Sequence, residues 1–135
     1  MKDYSKYLGV PFKNMGRSFK GIDCYGLVWL IFKEERGIEL PDFTDLGYEL
    51  EWRKKGQSHI LENITEDWSK VDAPFKIFDC HIFTDGKIAS HIGLNIGHDK
   101  FIHIFEFSIV VINRLESWLP RLHCTLRYRD GKDNF

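Results

Sequence analysis

The stretch Gly21-Ile22-Asp23-Cys24-Tyr25-Gly26-Leu27-Val28 constrains the rest of the chain most tightly. A polar lead-in gives way there to an unbroken apolar run, Leu27 to Phe32, with Cys24 at the junction. Asp is a preferred N-cap residue, so the pattern predicts a helix that starts after Asp23 with Cys24 in its first turn. The run is apolar nearly all round, which predicts a central, buried helix rather than a surface one. Lys33-Glu34-Glu35-Arg36 is its wet end. Gly37 suits the left-handed position that closes a helix, so the end is expected near Arg36. Gly26 lowers helix propensity and implies close approach of another backbone, or of a ligand, beside Cys24.

This placement bears on the thiol. Unpaired N–H groups and the helix dipole put partial positive charge beside Cys24 and favour its thiolate. A free Cys is more often a small buried hydrophobe, so a catalytic reading needs a base elsewhere in the chain.

The chain of 135 residues is expected to form one domain, 1–135, large enough for a real core. Its net charge of -1 excludes a broad basic field, so nucleic acid is not an expected partner. No apolar run reaches the length of a membrane span. Met1 to Tyr7 is charged and unlike a signal peptide, so synthesis in the cytoplasm is expected. Cys24, Cys80 and Cys124 are widely spaced, odd in number and contain no CxxC pair, which argues against both a disulfide framework and a zinc site. No cofactor is implied. Aromatic residues make up 15%, with 11 Phe, which points to a dense core and an aromatic cleft.

Ahead of the helix, Tyr4 to Leu8 predicts a short helix ending at Gly9, and Asn14 to Gly21 a loop. After it, helical stretches are expected over 44–55 and 58–64. From Val71 onward the pattern turns to β. Strands are expected at Phe78 to Phe83, Ala89 to Ile96, Phe101 to Phe107, Ile109 to Asn113 and His123 to Arg129, the last half-exposed. A helical turn is expected at Glu116 to Leu119. Short strands joined by tight turns imply antiparallel pairing, so helices followed by strands give an α+β class.

Two of the six histidines have a reason to meet. In the strand opened by His91, the side chains of His91, Gly93 and Asn95 share one face, and Ile92, Leu94 and Ile96 the other. In the next strand His103 lines up with Phe101 and Phe105. A three-residue loop, Gly97-His98-Asp99, sets Ile96 opposite Lys100 and Gly93 opposite His103, with His91 diagonal to His103 at roughly 7–8 Å between backbones. A two-residue turn at His98-Asp99 in a regular ladder sends the two histidines to opposite faces. If they meet, Cys24 is a candidate nucleophile, His91 its base, and His103 the group that orients His91. Otherwise both are ordinary strand residues. His59, His98 and His123 read as surface or turn residues; His81 fits either a core or a functional role.

Tyr7-Leu8-Gly9-Val10-Pro11-Phe12, Gly16-Arg17-Ser18 and Asp23-Cys24-Tyr25-Gly26-Leu27-Val28 together resemble the N-terminal half of the NlpC-type cell-wall cysteine peptidases. Ser90-His91-Ile92-Gly93-Leu94-Asn95-Ile96-Gly97 and Phe101-Ile102-His103 resemble that family's histidine strands. The resemblance implies a papain-like α+β fold with the Cys helix packed on an antiparallel sheet. It implies a catalytic triad of Cys24, His91 and His103, with Asp23, Tyr25, Phe12 and Ser90 at the substrate. The implied partners are peptidoglycan stem peptides, cut beside a D-γ-glutamyl residue, often before a diamino acid. Phe12 stands where many members carry Tyr, Tyr25 where Ser is common, and Asn14-Met15 where Trp-Gly is usual. Phe78-Asp79 is all that remains of the usual Pro-Gly-Asp. The triad survives, while the substrate pocket departs from the best-known branch.

The bare single-domain form is similar to versions in phage and prophage tail modules, which implies tail proteins as further partners and a virion-associated location. Three rival readings stand beside the peptidase. One is a thiol amidase or acyltransferase acting on another amide. Another is a catalytically silent tail-assembly module. The third is a metal site built from Cys24, His91 and His103.

Overall fold

The computed structural model describes residues 3–41, 67–85 and 88–129. The helical stretches expected at 44–55 and 58–64 lie outside these residues.

Helix α1, Cys24–Arg36, begins and ends where its sequence signals stand. Asp23 is the N-cap, extended at φ -99°, and its carboxylate accepts from the Gly26 N–H at 2.7 Å. Such a cap is worth about 1 kcal/mol. Gly37 closes the helix at φ 65°, its N–H reaching the Lys33 and Phe32 carbonyls. Leu27, Val28, Leu30, Ile31 and Phe32 are all buried, as expected of a central helix.

Among the described residues eight strands follow in chain order: β1 (Arg17–Ser18), β2 (Gly21–Ile22), β3 (Trp68–Val71), β4 (Cys80–Asp85), β5 (Ile88–Gly97), β6 (Lys100–Ile104), β7 (Val110–Arg114) and β8 (Leu122–Tyr128). β1 and β2 form a small hairpin inside the stretch expected to be a loop. The other six make one antiparallel sheet in the order β3-β8-β4-β5-β6-β7. A single 3-10 turn stands at Ser5–Tyr7 and a longer 3-10 helix at Leu115–Arg121, near the two short helical segments expected there. β6 stops at Ile104 because Phe105 to Phe107 turn back: Ser108 N–H donates to the Phe105 carbonyl, and Phe107 takes φ 60°.

Alternation gives the sheet two working faces. Cys80, Ile82, Ile92, Leu94, Ile102, Ile104 and Leu126 pack with the apolar residues of α1 in the main core. Phe83, Phe101 and Leu115 form a second cluster with Phe75, Trp118 and Leu122. The polar side of β8 is exposed at His123, as expected of a half-exposed strand, but covered further along. Thr125 is buried against His81, and Arg127 makes a bidentate pair with buried Asp79, both bonds at 2.8 Å. Pairing of β8 with both β3 and β4 brings these residues to their partners, a long-range contact that alternation along one strand does not reveal. The N-terminal segment covers the outer edge of the sheet: Gly9 N–H donates to the Val110 carbonyl, Val110 N–H to Val10, and Phe12 N–H to Ser108. An uncovered edge invites pairing with another chain. Among the described residues no helix is long and apolar enough to cross a membrane.

The hairpin between β5 and β6 corrects the expected three-residue loop. The chain turns over two residues, His98 and Asp99, at φ 54° and 58°, and Gly97 pairs with Lys100. These are the positive φ values that a mirror-image hairpin turn requires. A regular ladder from that turn would separate the two histidines. The register instead shifts by one, because Asn95 pairs with Phe101 and Ile96 is an extra residue. The bulge returns His91 and His103 to one face.

The close approach expected at Gly26 is to backbone. A Cβ there would collide with the Gly16 carbonyl oxygen and lie 2.9 Å from Arg17 Nη1 and Asp23 Oδ1. Gly26→Ala should therefore displace the β1–β2 hairpin from the start of α1. The expected cost is about 1–3 kcal/mol, read as a lower urea midpoint at unchanged m.

Candidate active site

Cys24 is the first residue of α1 and half-buried against the main core. Its position is set by the residue before it. The Asp23 carboxylate, 5% exposed, accepts from Gly26 N–H, from Arg17 Nη1 at 2.9 Å and from Met15 N–H at 3.0 Å. Arg17 also donates to the Gly16 carbonyl and lies over the Tyr25 ring at 5.5 Å. The β1 hairpin is thereby fastened to the first turn of α1. The other cysteines are held as thiols: burial pushes Cys80 well up and raises Cys124.

α1 packs on β5 and β6, the strands that carry His91 and His103. The ladder between these strands runs from Gly97–Lys100 to Leu94–Ile102, and the histidines lie beyond its end. There His91 Nε2 and His103 Nδ1 share a hydrogen bond of 2.8 Å, and His103 Nε2 meets Asn113 Oδ1 at 2.6 Å. The two histidines cross diagonally over Gly93. A Cβ on Gly93 would lie 2.6 Å from the Phe101 ring and 3.4 Å from His103 Cβ.

Aromatic rings wall the pair. Phe105 stacks on His91 with centroids 4.9 Å apart and meets the His103 ring edge-on, also at 4.9 Å. Trp118 lies 5.3 Å from His103 and 5.2 Å from Phe105, and Phe101 lies 4.4 Å from His103. Burial lowers the pKa of His103, opposed by its bond to Asn113. A neutral His103 donates through one ring nitrogen and accepts through the other.

The remaining expected site residues fall as follows. Phe12 is half-buried, its ring edge against Phe107 at 5.6 Å. The Tyr25 hydroxyl donates to the Pro41 carbonyl at 2.6 Å. Ser90 precedes His91 in β5, and its side chain is outside the described part. His81 is a core histidine: its Nδ1 meets Thr125 Oγ1 at 2.8 Å among Phe75, Phe83 and Phe101. Sequence reading placed Phe105 on the face of His103 without giving it a role, and did not single out Asn113 or Trp118. The aromatic content hinted at such a wall, but only the β6–β7 register, Phe101 opposite Asn113, brings Asn113 beside His103.

Among the described residues no three His, Cys, Asp or Glu side chains form a group that could hold an ion. The facing nitrogens of His91 and His103 are turned on each other, and the far nitrogen of His103 on Asn113.

The NlpC/P60 family profile matches residues 9–127. The chain belongs to the NlpC/P60 family. It is 30% identical over 123 residues to the murein DD-endopeptidase MepS/murein LD-carboxypeptidase of Escherichia coli K12, covering 90% of this chain and 57% of that protein. It is 26% identical over 113 residues to a probable endopeptidase NlpC homolog of Haemophilus influenzae, covering 84% of this chain and 51% of that one. The chain thus spans little more than half the length of these relatives. Among solved structures, NlpC2 from Trichomonas vaginalis shares the fold at a TM-score of 0.66 and 18% identity, over 92% of this chain and 44% of that one. These likenesses agree with the papain-like α+β class expected from the sequence.

Two outcomes follow from the packing. Gly93→Ala should force Phe101 or His103 to move, lowering the unfolding free energy by about 1–3 kcal/mol and separating the imidazoles. Histidine ring NMR signals of the variant will check this. His81 is pushed down from 6.5 to about 4, chiefly by burial, with Asn95 and the Asp79 charge opposing. Its folded value lies below its unfolded one, so its contribution is present above pH 6.5 and is lost as pH falls toward 4. That contribution is at most about 3 kcal/mol. Urea midpoints measured between pH 7 and 4 should fall for the wild type and fall less steeply for His81→Leu.

Proposed function

We propose that this chain is a cysteine peptidase that hydrolyses peptidoglycan stem peptides through Cys24, His91 and His103. The observation that carries the reading is the 2.8 Å bond between His91 and His103, on the strands against which the Cys24 helix packs. Family membership and the murein endopeptidase name of the Escherichia coli relative support it. The choice of Cys24 over the other two thiols is supported by its place in the first turn of α1, where N–H groups and the helix dipole favour thiolate.

In this reading His91 takes the Cys24 proton, and the thiolate attacks the amide carbon. The carbonyl oxygen becomes an oxyanion, stabilised in part by the backbone N–H of Cys24. The C–N bond then breaks, and the leaving amine takes the proton from His91, leaving a thioester. Water, deprotonated by His91, hydrolyses the thioester and returns the thiol. His103 orients His91 and stabilises its imidazolium, as the third member of a triad does. The bond assigned to the site lies between D-γ-glutamyl and a diamino acid, with Asp23, Phe12, Tyr25 and Ser90 on the substrate side.

Mass spectrometry of defined stem peptides and muropeptides after incubation with the protein tests this. Wild type should give one new cleavage product. Cys24→Ala should reduce it at least about 10³-fold, as removal of a catalytic nucleophile does. Iodoacetamide should label Cys24 ahead of Cys80 and Cys124. Substrates left intact by the wild type, or cut equally by Cys24→Ala, would overturn the assignment.

A further inference from the structure

We propose that Asn113 is a positioning residue that fixes the tautomers of both histidines and so the direction in which they pass a proton. The inference rests on the peptidase reading only for its catalytic consequence; the tautomers can be measured without any substrate.

The polarity follows from atom chemistry. Asn113 Oδ1 can only accept, so the 2.6 Å contact requires a proton on His103 Nε2. His103 is fully buried and kept neutral by its surroundings, so its Nδ1 carries a lone pair. The 2.8 Å contact to His91 then requires a proton on His91 Nε2. A neutral His91 is left with Nδ1 as its basic nitrogen, the form that can accept a proton from a thiol. Were Asn113 to present its NH₂ group instead, every bond in the chain would reverse. His103 would hold its proton on Nδ1, His91 would accept at Nε2, and the proton on His91 would sit on Nδ1. That tautomer has no base to offer.

The setting makes this end of the chain decisive. His103 is packed by Phe101, Phe105 and Trp118, whose rings supply no acceptor of comparable strength. Its Nε2–H is therefore satisfied by Asn113 or left buried at a cost of about 1–3 kcal/mol. Asn113 stands on β7 opposite Phe101, so its placement beside His103 is set by strand register. The chain of dipoles also turns its acceptor ends toward His91, which favours a positive charge there when the imidazolium forms.

The test combines NMR of ¹⁵N-histidine-labelled protein with kinetics on the stem peptide that the wild type cleaves. Two variants are used: Asn113→Leu, which removes the acceptor, and Asn113→Asp, which keeps an acceptor-only group. Wild type should show both His91 and His103 protonated on Nε2 at neutral pH. Asn113→Leu should shift His103 toward the Nδ1–H form. It should also lower kcat about 10–100-fold at nearly unchanged KM, the scale seen when a hydrogen-bond partner that orients a metal-ligating histidine is lost. Asn113→Asp should retain the wild-type tautomers and most of kcat. A merely structural role would lower stability in Asn113→Leu without changing the tautomer signals. The proposal is overturned if wild-type His103 carries its proton on Nδ1, or if Asn113→Leu keeps the wild-type tautomers. If the tautomers behave as stated and no substrate is cleaved, the peptidase reading falls while the assignment to Asn113 stands.

Discussion

A buried carboxylate is costly unless its charge is met, and in this protein Asp23 is met by groups from three neighbouring segments. Gly26 N–H, Arg17 and Met15 N–H all donate to it. Those bonds begin the helix, fasten the β1–β2 hairpin to it, and fix the backbone on either side of Cys24. The absence of a Cβ at Gly26 allows the Gly16 carbonyl to close against the same turn. The thiol is therefore held by a short-range network of backbone and charge rather than by burial alone.

The histidines are positioned by a different device. Each lies on a strand whose alternate residues belong to the main core, so sheet register decides which way the imidazoles point. The two-residue turn at His98 and Asp99 would point them apart, and the extra residue at Ile96 reverses that outcome. Gly93 leaves room for Phe101 beneath the crossing. The aromatic wall of Phe101, Phe105 and Trp118 then keeps His103 away from water, so its ring relies on its hydrogen bonds to His91 and Asn113. Such a wall sharpens electrostatics by lowering the local dielectric.

A similar economy is seen at Phe78, which stands where the family pattern has glycine and takes φ 78°. Its N–H donates to the Asn95 carbonyl, its ring packs on Phe32 at 5.2 Å, and the Arg36 guanidinium lies over it at 5.2 Å. Packing of the large ring offsets the strain of a left-handed backbone, which helps explain how the turn into β4 survives without glycine.

The sequence by itself determined the helix at Cys24–Arg36, its cap and its end, because those signals are local and each lies within one turn of the residue it acts on. It also determined the approximate positions of β4 to β8 and the α+β class, through period-two patterning and the order of elements. The pairing of His91 with His103 was legible only as a condition on register. Tertiary structure decided the rest. The bulge at Ile96 depends on how β5 pairs with β6. The burial of Thr125 and the pairing of Arg127 with Asp79 depend on β8 returning between β3 and β4. Asn113 reaches His103 because β7 pairs with β6 in one register. Each of these is a contact between segments, and no periodicity within a single segment encodes which neighbour it will meet.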